Sequence, residues 1–391
     1  MIAAFRHAWN YSRLGTFKQT FLYHKAQTIR LVNEQLRPSA FVPFCADHIV
    51  TLCFSECTFG NFEAAETHLM GMLSYMETRG NPKDEQDAIA HEICERYFIV
   101  AYNMIQGLKS RVDDYLASPA GAAFNSRCQL SPQELEQLIP EWHSFEANGA
   151  GLCLEAMSLL PSFFASSAVC PKLNPVNPSR VISCLKGITR IFEMRSSCKR
   201  GISHDTSLYE LWDHGDPSRL FSAVVEAHIE SCSPVSAVTN GPRAFLQSSW
   251  TGIIVTSGMY LNSVLGVWNS GQPEQDQLLH YILRSSFQDL KTCFAGSDMH
   301  SPLSRDLIFW KLFVSAFHLT RARLGGCNAL IDSLNLEFKS MIRVITKEMN
   351  MLSWQDARTR LAQIVWPKDF DREDVAKALW HETMADQVGG L

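Results

Sequence analysis

The sequence lacks the short motifs that identify common classes of enzyme. It contains no G-x-S-x-G nucleophile elbow, no phosphate-binding P-loop and no C-x-x-C pair. The stretch "GAGLCL" at 149–154 begins the dinucleotide-binding pattern G-x-G-x-x-G but lacks its final glycine. No motif therefore brings a nucleophile, a base and an orienting group together. We predict a protein that is not an enzyme, with no catalytic residues and no cofactor, in which no cofactor-binding residue can be assigned.

Ligand sets for a metal ion are also missing. Zinc-binding helices use H-E-x-x-H, which places two imidazoles one turn apart. The stretch "HEICE" supplies His91 and Glu92 but ends in glutamate where the second histidine is needed. The stretch "HIESC" places His228 and Cys232 four residues apart without further ligands. Because such a pair alone does not hold a metal ion, we predict no metal site.

Positive charge is not in surplus either. The chain has 35 lysines and arginines against 40 aspartates and glutamates, which gives a formal net charge of −5. A protein whose whole surface binds DNA is normally basic, with Lys and Arg on one face. We interpret the densest basic stretch, 186–200, as a solvated loop and helix edge, with a nuclear-import or phosphate-binding patch as the alternative. Its basic residues are Lys186, Arg190, Arg195, Lys199 and Arg200.

Long apolar runs and disulfide patterns are absent as well. The thirty residues of 244–273 carry no charge, but Gln, Ser, Thr, Asn and Gly interrupt them. A membrane-spanning helix needs about twenty predominantly apolar residues. We therefore expect no membrane association, and a helix or pair of helices buried on most sides. The twelve cysteines are spread singly, and Arg6 and His7 interrupt the N-terminus. This pattern favours a reducing compartment and no signal peptide.

Alternation of apolar and polar residues, the pattern of a β-strand, is missing, whereas helical spacing recurs. In 62–78 the apolar residues repeat at steps of three and four. Asn61 can cap the start of this helix, and Gly80 with Pro82 can end it. We expect Gly71 to permit the close approach of another helix. The predicted inward residues are Phe62, Ala65, Leu69, Met72, Leu73 and Met76.

Similar patterns extend over the chain. They predict helices at 17–37 and 44–59 and a longer helix within 83–108, whose first turn is acidic, as the helix dipole favours. We predict an all-α fold: one large domain of residues 1–391 built of antiparallel helical hairpins. Loops are expected near 117–132, 165–180, 231–243 and 295–304, where Pro, Ser, Gly and Asn cluster.

Two capped helices are predicted near the end. "SWQDARTRLAQIVWP" opens with Ser353 and Asp356 as a capping pair, and Pro367 ends this helix. "DREDVAKALWHE" begins the last helix, with Asp371 as the expected cap. The first of these two helices should bury Trp354, Ala357, Leu361 and Ile364.

Four segments together share an order and spacing with a known family. They are "YHKAQTIRLVNEQL" (23–36), the hairpin 47–80 with its Gly-Asn turn and His-Leu-x-Gly step, "SPLSRDLIFWKLFVSAFHLTRA" (301–322) and "WQDARTRLAQIVWPKDFDREDVAKALWHE" (354–382). They resemble, in turn, the opening helix, the most recognisable hairpin, the Trp-centred helix and the closing segment of the fungal-specific transcription factor domain. That domain is the helical regulatory region of many fungal zinc-cluster regulators.

The resemblance implies a transcriptional regulator or coregulator that acts through protein partners of the transcription machinery. It also implies that the protein is located in the nucleus and shared between nucleus and cytoplasm. It also implies a homodimer and a small apolar ligand. Members of the family usually carry a six-cysteine zinc cluster that begins C-x-x-C, whereas the first cysteine here is Cys45. We therefore expect no sequence-specific DNA binding from this chain. The alternative function is a small-molecule-binding or scaffold protein with no transcriptional role.

Overall fold

A computed structural model of the chain confirms the predicted all-α fold. It describes residues 15–35, 46–58, 60–79, 82–116, 160–168, 170–197, 216–233, 246–267, 275–295, 301–323, 329–369 and 371–385. These ranges contain thirteen α-helices and one π-helical segment, and they contain no strand. An isolated antiparallel bridge joins Val176 and Ser248.

The chain divides into two compact units, Met1–Leu173 and Asn174–Leu391. The single domain expected over 1–391 stays a prediction. The helices described in the first unit are α1 (Gly15–Gln35), α2 (Ala46–Thr58), α3 (Phe62–Arg79), α4 (Glu85–Leu116) and α5 (Leu160–Ala168).

The first unit is built on the α2–α3 hairpin, against which α4 packs. Five of the six predicted inward residues of α3 are buried, and Phe62 is half-buried. The side chain of Asn61 accepts a hydrogen bond from the backbone N–H of Ala64 at 3.4 Å, which confirms the predicted cap. The expected end of the helix at Gly80 lies outside the described residues. Helical periodicity therefore predicted both the start and the buried face of α3.

The expected role of Gly71 is wrong. Gly71 is exposed, and a Cβ atom built on it would meet nothing within 4 Å. Its neighbour Met72 lies on the buried face, and successive helical residues are turned by about 100° from each other. Gly71 therefore faces solvent and permits no close helix contact.

The second unit contains eight described α-helices and the π-helical segment. They are α6 (Ser179–Ser197), α7 (Asp216–Cys232), α8 (Trp250–Met259), the π segment (Tyr260–Leu265), α9 (Asp276–Ala295), α10 (Pro302–Arg323), α11 (Ala329–Glu348), α12 (Trp354–Ile364) and α13 (Glu373–Ala385).

The centre of the second unit is α10, which packs against α8, the π segment, α9, α11, α12 and α13. All its residues from 306 to 319 are buried, as expected of a helix surrounded by others. Trp310 donates a hydrogen bond from Nε1 to the backbone oxygen of Val365 at 2.8 Å, so its one polar atom is satisfied. The indole rings of Trp354 and Trp366 lie nearby, with their centroids 6.4 Å apart.

The uncharged stretch 244–273 includes α8 and the π segment. Every residue of α8 is buried, which confirms the prediction of a helix enclosed on most sides. No helix in the described ranges is long and apolar enough to cross a membrane.

The capping pair before α12 is confirmed. Ser353 and Asp356 form a reciprocal capping box, in which each side chain accepts a hydrogen bond from the other residue's backbone N–H. The four predicted inward residues of α12 are buried. The next helix begins at Glu373, two residues after the expected cap Asp371.

The predicted loops are described only in part. The loop near 117–132 lies outside the described residues. At the second, α5 continues to Ala168, and 170–178 is not helical. At the third, α7 ends at Cys232, and 234–243 is not described. At the fourth, α9 ends at Ala295 and α10 begins at Pro302.

Candidate functional site

Charged and polar side chains gather around the buried carboxylate of Glu56 in the first unit. Glu56 lies on α2, and its side chain is only 4% exposed. Lys25 of α1 forms an ion pair with Oε1, and His68 of α3 places Nε2 at 4.0 Å from the same oxygen. Asn61, in the turn between α2 and α3, donates from Nδ2 to Oε2 at 3.0 Å. One carboxylate therefore connects α1, α2, the turn and α3; we call these four residues the Glu56 cluster.

A second ion pair lies close to the Glu56 cluster. Lys109 of α4 donates from Nζ to Oε1 of Glu66 on α3 at 2.7 Å. With His68 neutral, the two lysines and the two glutamates balance to zero net charge. Burial has the largest effect on His68 and lowers its pKa. Glu56 raises the pKa and Lys25 lowers it, and the net result is a pKa below 6.5. The neutral imidazole is therefore the form that this environment favours at neutral pH.

Two cysteines of α2 lie one turn apart beside these charges. Burial raises the pKa of Cys53 to about 12. Burial, Cys53 and the two nearby glutamates raise the pKa of Cys57 well above 9.0. Because the thiolate is the nucleophile and the metal ligand, these thiols are held in their unreactive form.

The second unit contains a buried ion pair between Asp289 of α9 and Lys311 of α10. Lys311 Nζ lies 2.5 Å from Oδ2 of Asp289, and the side chains are 1% and 5% exposed. Lys311 also donates to Oγ of Ser248 at 3.2 Å and lies 3.9 Å from Sγ of Cys293. Ser249 donates to Oδ1 of Asp289. We call these five residues the Asp289 cluster.

The Asp289 cluster fixes the start of α8. Ser249 is the N-cap and accepts a hydrogen bond from the backbone N–H of Gly252 at 2.9 Å. A Cβ atom on Gly252 would lie only 2.1 Å from Oδ2 of Asp289, so the carboxylate approaches a position where no side chain fits. The cluster therefore ties α8, α9 and α10 together.

The contact between Lys311 and Ser248 has the composition of a Ser–Lys catalytic pair, in which a neutral amine deprotonates the hydroxyl. Burial lowers the pKa of Lys311, but Asp289 and Cys293 outweigh burial and raise it above 10.5. Lys311 is therefore held as an ammonium ion, which cannot accept a proton. This geometry suits a structural ion pair, not a base.

The sequence pairs considered as metal ligands make other contacts. Cys232 Sγ lies 3.6 Å from Nε2 of His228, and both are buried, with His228 packed edge-on against Trp250. Glu92 accepts a hydrogen bond from Arg96 at 2.6 Å. No group of three or more His, Cys, Asp or Glu side chains that could hold a metal ion occurs in the described part of the chain.

The basic stretch 186–200 is described only in part. Lys186 donates from Nζ to the backbone oxygen of Gln363 at 3.4 Å, and Arg190 is exposed. The side chain of Arg195, together with Lys199 and Arg200, lies outside the described residues. The choice between a solvated helix edge and a phosphate patch stays a prediction. The motif-like stretch 149–154 also lies outside the described residues.

Sequence reasoning missed both buried clusters. One signal was available: Lys311 interrupts the otherwise apolar run "LIFWKLFV", which predicts a charge carried into the interior. Its partners could not be named from the sequence, because Ser248 and Lys311 are 63 residues apart in the chain. The same holds for Lys109 and Glu66, which are 43 residues apart.

Comparisons with known proteins identified no relative of this chain. No family model, no curated protein and no solved structure matches the chain.

Proposed function

We propose that this chain is a non-catalytic transcriptional regulator or coregulator of the fungal-specific transcription factor type, acting in the nucleus through protein partners. The observation that carries the proposal is where the family-like segments fall. The segment 47–80 forms the central hairpin of the first unit, and 301–322 forms the buried helix at the centre of the second. The segment 354–382 forms α12 and α13, which pack on that helix.

The buried charges also support this proposal. In the Glu56 and Asp289 clusters the ionisable groups bind one another across helices, and the thiols of Cys53 and Cys57 are kept protonated. Groups used in this way fix helices relative to each other. This structural use of the charged groups agrees with the non-catalytic part of the proposal.

Protein partners need an accessible surface, and α11 offers one candidate. Leu336 and Val344 are 67% and 47% exposed on this helix, and Leu352, just beyond it, is 89% exposed. Exposed large apolar side chains are often covered by partners when they form a continuous patch. Within the proposed function, those partners are the transcription machinery and a second copy of the chain, and a small apolar ligand acts on the same domain.

A tethering assay tests the proposal. The full chain is fused to an unrelated DNA-binding head, and reporter output in a fungal host cell is compared with that of the head alone. We expect output to change in either direction, because the chain would carry an effector surface and lack only the DNA address. An unchanged output from an expressed, nuclear fusion would contradict the proposal and direct attention to the scaffold or ligand-binding alternative.

Two variants show whether the effect needs the folded chain. Trp310→Ala removes a fully buried ring at the centre of the second unit and should abolish the effect. Lys377→Ala changes an exposed residue of α13 and should leave the reporter effect at the wild-type level. An effect that survives Trp310→Ala would mean that the effect does not require the folded second unit.

A further inference from the structure

Few apolar side chains are buried among those of α1 that the structure describes, residues 19–35. The side chains that face the first unit follow one helical stripe, in which Val32 is buried and Phe21 and Ile29 are half-buried. Lys25 lies on the same stripe between them. On the other side of the helix, Leu22 and Tyr23 are 50% and 61% exposed. Because the described side chains of α1 bury little apolar surface, we expect the ion pair of Lys25 to contribute much to holding α1 in place.

Lys25 and His68 face the same oxygen of Glu56. Lys25 forms an ion pair with Oε1, and Nε2 of His68 lies 4.0 Å from the same oxygen. Asn61 donates a hydrogen bond to the other oxygen, Oε2. A neutral imidazole at this distance leaves the oxygen to the lysine. A protonated imidazole is a second cation for the same oxygen, and the two cations repel each other.

Among the residues that the structure describes, the charges around Glu56 leave no spare anion for that second cation. The groups that face the cluster are Lys25 from α1, Glu56 from α2, His68 and Glu66 from α3, and Lys109 from α4. Glu66 is already paired with Lys109. Protonation of His68 therefore adds one positive charge to a set that was balanced.

We propose that α1 is a pH-sensitive strap: protonation of His68 displaces Lys25 from Glu56 and releases α1 from the α2–α3 hairpin. Lys25 is the cation that leaves because, of the helices α1 to α4 that face the cluster, α1 has the fewest buried apolar side chains among its described residues. His68 is held by α3 at the centre of the hairpin, and Lys109 is held by Glu66. Release uncovers the face of α2 that α1 covers. This inference does not depend on the proposed function.

Hydrogen–deuterium exchange of the full chain tests the strap. Protection of the segment 15–35 is measured at about pH 7.5 and about pH 5.5, on either side of the ordinary histidine pKa, after correction for the intrinsic pH dependence of exchange. In the wild type we expect protection of 15–35 to fall at the lower pH by up to about tenfold, the ratio of charged to neutral imidazole one pH unit below the ordinary histidine pKa. Protection of α3 and α4 should change much less.

Three variants distinguish the strap from general acid destabilisation. His68→Asn removes the titrating group and should abolish the fall, whereas His24→Asn, at an exposed position of α1, should keep it. Lys25→Met removes the pair and should give low protection of 15–35 at both pH values.

Four results would overturn the proposal. They are an unchanged protection of 15–35 in the wild type, an equal fall in His68→Asn, a loss spread evenly over α1, α3 and α4, and wild-type protection in Lys25→Met.

Discussion

At the scale of single residues, two glycines in α-helices have opposite surroundings. Gly252 lies against the carboxylate of Asp289, where a Cβ atom would come within 2.1 Å of an oxygen. Gly71 faces open space. The residue type alone does not separate these cases, because the difference is made by the neighbouring helix.

We expect Gly252→Ala to lower the free energy of unfolding by about 1–3 kcal/mol, because the added methyl group forces the buried ion pair to move. Gly71→Ala is the matched control. It should raise the free energy of unfolding by about 0.5–1 kcal/mol, since alanine restricts the unfolded chain and favours the helix. Urea denaturation measures both, and a Gly252→Ala protein as stable as the wild type would contradict the described packing.

Single residues also show how much of the structure the sequence could predict. The buried stripe of α3 and the box of Ser353 and Asp356 depend on residues three or four apart, and both were predicted. Glu56 and Lys311 were missed, because charged residues are expected outside unless a partner is known. Those partners come from other helices, and no local pattern names them.

At the scale of helices, the capping box of α12 gives a pH-dependent stability. Hydrogen bonds from the side chain and backbone of Ser353 and from the backbone of Leu352 lower the pKa of Asp356 below 3.8. An acid whose pKa is lowered in the folded state stabilises the fold above its ordinary pKa, and this contribution is lost as the pH falls through the folded value.

We therefore expect Asp356→Asn to lower the urea midpoint at neutral pH and to match the wild type once the pH is well below 3.8. Gln355→Ala, at the exposed neighbouring position, should shift the midpoint little at any pH. A difference between Asp356→Asn and the wild type that is constant over the whole pH range would mean that the carboxylate charge does not matter.

The buried pair of Asp289 and Lys311 connects helices instead of capping one. Lys311→Met leaves a buried carboxylate without its cation and should cost about 3–5 kcal/mol of unfolding free energy. In the double variant Asp289→Asn with Lys311→Met no charge is left, so more than half of that loss should return. A double-mutant cycle by urea denaturation measures the coupling, and additive losses would show that the two groups do not interact.

At the scale of the whole molecule, the all-α fold followed from periodicity, whereas the division into two units did not. Helical stripes predict which face of each helix is buried, but not which helix covers it. That information lies in contacts such as the one between Trp310 and Val365, which are 55 residues apart. The proposed regulatory function likewise depends on the order of four segments, not on any one residue.

The central position of α10 gives a prediction at this scale. Trp310→Ala should lower the free energy of unfolding by about 3–5 kcal/mol, because a fully buried indole leaves a cavity among α10, α12 and the π segment. Lys377→Ala should change it by less than about 0.5 kcal/mol. Thermal unfolding followed by tryptophan fluorescence measures both. Equal stabilities of the two variants would show that Trp310 is not part of a packed core.

The burial of Lys311 also constrains the order in which the second unit folds. An ammonium ion without its carboxylate is costly to place in an apolar interior, so we expect α10 to be enclosed only when α9 brings Asp289 to Lys311. Docking of α9 and enclosure of α10 should then occur together. Any transition state that has already buried Trp310 should contain the Asp289–Lys311 pair.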